Sequence, residues 1–344
     1  MSIYICFFLI CSILILLKLD KSLFLFLVLF SGLRYKTGGD FRSYQKIFED
    51  PIFAKDSGIE IGYRVLNIII KDLNGNIQII FFIMAFLTIG ILFKCFKNYS
   101  LNKYLSIIFY LKSYYIGHNF ALIRQGLAVI LFFYSWKFIK EKKFFNYILI
   151  IFLASSFHRS ALVLFPFYFI LKKDYSLKSM IIISLIVIIF LKFNLGYFIN
   201  YFNSDSVTIL KLKSYIAKNV STGINLVYLE RMFFIILVLY FKKYITNSFY
   251  NIALNSYFFS WIVINILNFN YFLSGRIAMY FTIADTILIS YMTSEIKIKK
   301  LRIFIIFLLW LYSFGSFYLR IILNQNPDYI PYKNYLYEMF IRLI

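Results

Sequence analysis

Lys137-Phe138-Ile139-Lys140-Glu141-Lys142-Lys143 opens the deciding stretch, and Lys172-Lys173 closes it. Between them lie 28 mostly apolar residues, Phe144 to Leu171, with Ser156-Phe157-His158-Arg159-Ser160-Ala161 in the middle. Clusters of lysine beside apolar spans mark the cytoplasmic side of a membrane. One straight helix would put the two lysine clusters on opposite sides. Two shorter legs meeting near His158 keep both inside, and neither leg reaches the roughly 30 Å of hydrocarbon at about 1.5 Å per residue. The spacing therefore predicts a re-entrant or broken pair with His158 at its apex. Such a break is tolerated only where it is buried in protein or lines a watery cavity.

The same bookkeeping extends outward. The chain of 344 residues is 62% hydrophobic and only 15% charged, too apolar for a soluble domain of this length. Stretches such as Ile77–Phe93, Met180–Phe193 and Leu301–Leu319 approach the roughly 20 residues of a bilayer span. Further basic hinges stand at Lys94/Lys97/Lys103, Lys242/Lys243 and Lys297/Lys299/Lys300, with a weak one at Lys18/Lys21. Keeping all of them inside predicts an all-α, polytopic membrane protein of about 12 segments, with both termini outside. Residues 1–344 read as a single integral membrane domain. Its outer loops run approximately over 34–75 and 194–224, and its outer tail over 320–344. The second half of the first loop, Ile59–Lys71, reads as an interfacial helix.

The net charge of +22 does not point to nucleic acid, because the lysines sit in hinges rather than along one binding face. Cys6, Cys11 and Cys95 are scattered and form no metal or redox motif. The N-terminal Met-Ser-Ile-Tyr has no basic region, so no cleaved signal peptide is expected. Phosphate-binding loops, serine-hydrolase elbows and dinucleotide fingerprints are missing. With two histidines and no carboxylates clustered beside His158, no metal and no cofactor is expected.

The topology gathers cations toward the outer face. Arg34 ends the second helix at the outer surface, and Arg124 lies a few residues inside the outer end of its helix. His158 and Arg159 stand at the apex, and Arg231 and Arg276 lie in the outer halves of two later helices. Arginine's planar fork suits phosphate oxygens and stays charged in poor solvent. The set fits a lipid-linked anion such as a pyrophosphate, with its headgroup outside. Blander roles compete: Arg159 snorkelling to headgroups, Arg231 pairing with Glu230. Arg124 and Arg276, deeper and among small residues, carry the functional reading. Thr37-Gly38-Gly39-Asp40, with Tyr44 following, is a polar turn whose Asp40 serves either as a base or as a helix cap. His118 takes less weight.

In order and spacing these pieces resemble the EpsG family, a branch of the Wzy-type polymerases of bacterial surface polysaccharides. The matching residues are Arg34, Gly39-Asp40 and Tyr44, then Glu60-x-Gly62-Tyr63 and Arg124-Gln125-Gly126-Leu127-Ala128. Phe157-His158-Arg159-Ser160-Ala161-Leu162 with Pro166, Gly275-Arg276 and Ile330-Pro331-Tyr332 follow. The resemblance implies polymerisation of undecaprenyl-pyrophosphate-linked oligosaccharide repeat units at the outer face of the bacterial cytoplasmic membrane. Under it, Arg124, Arg276, His158 and Asp40 are the expected catalytic residues. Arg34, Tyr44, Gln125, Arg159, Arg231 and Tyr332 are expected to bind substrate. The partners implied are the lipid-linked oligosaccharide, membrane lipid and a chain-length regulator. A flippase, another polyprenyl-carrier glycosyltransferase or ligase, and a scaffold of the assembly machinery are the rivals. A flippase needs charges along a transmembrane path and often internal repeats, whereas here the cations favour one face.

Overall fold

The computed structural model describes residues 2–50, 55, 58–189, 226–323 and 327–343. The outer loop expected over 194–224 and the end of the Met180–Phe193 span lie outside them. The described residues are mostly helical, with no strand and one isolated antiparallel bridge, Arg34 with Asn334. Contacts divide the chain into two compact units: residues 1–165 with 296–344, and residues 166–295.

In the first unit, α1 (Ser2–Leu16) and α2 (Asp20–Gly32) form the short opening pair. Helices α3 (Phe41–Glu49) and α4 (Ile61–Asp72) follow in the first loop, with α4 close to the expected interfacial helix and α3 an addition to it. Next come α5 (Ile77–Tyr99), α6 (Lys103–Ser113), α7 (Ile123–Lys140) and α8 (Phe144–Phe157). The second unit holds α9 (Phe167–Lys172), α10 (Leu177–Ile189), α11 (Leu226–Phe241), α12 (Ser248–Ile266), α13 (Tyr271–Thr282) and α14 (Asp285–Ser294). The chain then returns to the first unit as α15 (Lys299–Tyr318) and α16 (Tyr335–Leu343).

Asparagine starts several of these helices. The Asn76 side chain accepts from the Gln78 and Ile79 N–H groups, Asn102 from Leu105, and Asn247 from Phe249. Each satisfies a donor that the first helical turn leaves open. By length and composition, α5 and the stretch Lys299–Ile321 are able to cross a membrane, and α13 with α14 would make a third span. That pair is bent by 43° at a short break. Helices Ile3–Leu16, Phe144–Phe157 and Leu177–Ile189 are apolar but shorter. Among the described residues two helices, or three spans with the bent pair taken as one, meet this measure, while other apolar stretches are cut into helices under 18 residues. The apolar face of α15 stands open, with Ile303, Phe304, Phe307 and Leu308 exposed, the pattern of a helix that meets lipid rather than water.

The chain does break at His158. That residue is extended (φ −152°, ψ 111°) and ends α8, and a 3-10 turn, Arg159–Leu164, follows it. The turn runs back beside α8, where the Tyr147 hydroxyl donates to the Leu164 carbonyl at 2.6 Å and Phe152 packs edge-on against Phe165. The break expected near His158 from the spacing of the lysine hinges is present, and a 3-10 turn follows it before α9 begins.

Candidate active site

Three segments of the first unit meet at the start of α4. Gly62 is what allows it: a Cβ there would lie 2.8 Å from the Ser156 carbonyl oxygen, so only glycine lets α4 press against the end of α8. A second close approach, Gly126 against the Cα of His118, seats α7 against the π-turn Gly117–Ala121 before it. These two contacts bring Glu60, Arg124 and His158 to one place, although 64 and 98 residues separate the carboxylate from its partners.

The Glu60 carboxylate is the centre. Its Oε2 accepts from Arg124 Nη1 in a close ion pair. Its Oε1 accepts from the Arg159 backbone N–H at 3.0 Å and faces His158 Nδ1 at 3.4 Å, longer than a well-formed hydrogen bond. The side chains of Glu60, His158 and Arg124 are 10%, 19% and 20% exposed, which makes a shielded but open site. Arg124 also lies 5.9 Å from the Tyr44 ring centre and 5.7 Å from that of Tyr63, two buried tyrosines that wall it in. The Tyr44 hydroxyl donates to the Ala121 carbonyl at 3.0 Å and so ties α3 to the approach of α7. Arg124 Nε is buried and makes no hydrogen bond.

Burial would raise the Glu60 carboxyl, but the His158 ring, Arg124 and the Arg159 N–H outweigh it and hold the group down to about 2. A lowered carboxyl contributes stability that is complete above its unfolded value, 4.5, and is lost as pH falls through about 2. The shift corresponds to a few kcal/mol, on the order of 3. Glu60→Gln is therefore expected to lower thermal stability at pH 7, with the gap from wild type closing as pH falls from about 4.5 toward 2. Unfolding curves in detergent over that range check it, and a gap independent of pH counts against the tie.

The other expected residues are placed as follows. Arg34, expected at the outer surface, is fully buried. Its guanidinium lies 4.0 Å over the Phe81 ring and donates from Nη1 to the Ser31 carbonyl at 2.8 Å, while Nε and Nη2 make no hydrogen bond. The tail closes over it, because Tyr35 N–H donates to the Lys333 carbonyl and Tyr335 N–H to the Leu33 carbonyl, each at 2.8 Å. Tyr332 belongs to that cover: its ring stacks on Phe30 at 4.5 Å and its hydroxyl donates to the Phe30 carbonyl at 2.9 Å. Gln125 is buried within α7. Asp40 precedes α3 but makes no side-chain cap bond, so the capping role weighed for it is not seen. The Arg159 side chain is exposed, and its backbone does the bonding. Arg231 and Arg276 belong to the second unit, on α11 and α13. His118 is buried, with Nδ1 3.4 Å from the Tyr110 hydroxyl and Nε2 unpartnered. Among the described residues, no three His, Cys, Asp or Glu side chains come together as a metal site would require.

Glu60 is the residue that reading along the chain left without a role. Its one signal there was the pattern Glu60-x-Gly62-Tyr63, since a lone acid in a loop gives no hint of partners so distant. Chemically, the arrangement offers a histidine beside a fixed carboxylate and an arginine with an unused donor. Those are the parts of a general base and an anion site. The chain matches the family model of the EpsG family over residues 17–334, nearly its whole length. No curated protein and no solved structure matches it.

Proposed function

The chain belongs to the EpsG family, and we propose that it polymerises undecaprenyl-pyrophosphate-linked oligosaccharide repeat units for a bacterial surface polysaccharide. In this reading it crosses the cytoplasmic membrane about 12 times, counted from the alternation of apolar stretches and basic hinges. Its site faces outward. The growing glycan leaves its lipid pyrophosphate and is joined to a hydroxyl of the next lipid-linked unit.

One observation carries the reading: Glu60, Arg124 and His158 meet in one partly open site at the break between α8 and its returning turn. Glycosyl transfer from a pyrophosphate needs a cation where negative charge builds on the leaving group, and a group to take the acceptor's proton. Arg124 supplies the first, with the Arg159 side chain nearby in the chain and open to solvent. His158 or Asp40 supplies the second. Buried in low dielectric, a preorganised guanidinium is worth far more than the same charge in water.

The test uses purified protein in liposomes with an extracted lipid-pyrophosphate repeat unit as sole substrate, read as a gel ladder. A ladder from wild type is expected. Movement of the lipid-linked unit between leaflets without any ladder would overturn the polymerase reading in favour of a flippase.

A further inference from the structure

Three features of the Glu60 environment go together. The carboxylate uses both oxygens, it is held ionised by its neighbours, and it stands at the point where α4 touches α8 through Gly62. A base must have a free oxygen and take up a proton near neutral pH, so Glu60 is a poor one. It is a fixed negative charge instead. An ionised carboxylate only accepts hydrogen bonds, so the nitrogen of His158 that faces it, Nδ1, is the one that carries hydrogen. In the neutral ring the opposite nitrogen, Nε2, then bears the lone pair.

Resting on the polymerase reading above, we propose that Glu60 is a positioning residue that makes His158 the general base, by holding its Nδ1–H inward and turning Nε2 toward the acceptor hydroxyl. The acceptor oxygen bonds to the anomeric carbon of the growing chain as its proton passes to Nε2. The bond between that carbon and the pyrophosphate oxygen breaks, and the lipid pyrophosphate leaves with the electron pair. The ring is left as an imidazolium beside the Glu60 carboxylate, and the proton then passes to solvent. The 3.4 Å approach between Nδ1 and Oε1 shortens as the ring takes on charge, as resting catalytic contacts commonly do.

The experiment is a double-mutant cycle in the liposome assay: wild type, Glu60→Gln, His158→Gln, and both together, with initial rates taken from ladder growth. Residues that act as one unit give losses that do not multiply. Glu60→Gln is expected to lower the rate by about 10- to 100-fold with little change in KM, and the double variant to be within about threefold of His158→Gln alone. If Glu60→Gln is not recovered folded, Glu60→Asp, which keeps the charge, takes its place in the cycle. Losses that multiply would overturn the positioning role while leaving a polymerase standing. A wild type with no ladder would overturn the polymerase reading itself.

Discussion

Arg124→Ala is expected to collapse the ladder, with a rate loss of about 10²- to 10³-fold. The guanidinium is walled by Tyr44 and Tyr63 and anchored at one nitrogen by Glu60. In the proposed reaction it therefore keeps one orientation beforehand and spends no energy reorganising as charge develops on the leaving pyrophosphate. Removing it also orphans a partly buried carboxylate, which costs about 3–5 kcal/mol when a buried pair is broken. Loss of fold and loss of chemistry have to be separated. Arg124→Lys does so: it retains the charge and the partner for Glu60 but gives up the planar fork. It should unfold near the wild-type temperature and still polymerise at least about 10-fold more slowly. Wild-type rates from Arg124→Lys and Arg124→Ala would remove Arg124 from the anion site.

The second large effect is at His158. His158→Gln keeps a polar side chain of similar reach but lacks an imidazole nitrogen to accept the hydroxyl proton. A loss of about 10²- to 10⁴-fold, in kcat rather than KM, is expected. Single-turnover ladder formation with saturating lipid-linked unit measures it. If kcat stays within a few-fold of wild type, His158 is not the base, and Asp40→Asn becomes the variant that should abolish turnover. The chain is extended at His158 and the turn after it is held by Tyr147 and Phe152.

The two residues reached the site by different routes. His158 was legible because its break follows from one-dimensional arithmetic: two basic clusters, 28 apolar residues and a fixed rise per residue. Arg124 was legible as an arginine inside an apolar helix, costly without a task. Glu60 was not, because an acid in a polar loop is unremarkable until the loop's path is known. The cover over Arg34 was illegible for a related reason. The residue's place just after α2 suggests an outer surface, but the tail of the chain, some 300 residues later, lies across it.

The sequence by itself determined the helical, apolar character of the chain and the break at His158. Hydropathy and rise per residue act between neighbours, so they are written in local order. Only the tertiary structure decided that Glu60 faces both Arg124 and His158, that Arg34 and Tyr332 are packed beneath the tail, and that the Tyr271–Tyr291 stretch bends. Those outcomes depend on close approaches between distant segments, at Gly62 against Ser156 and Gly126 against His118. Which glycine meets which backbone is settled by packing in three dimensions, and no period along the chain records it.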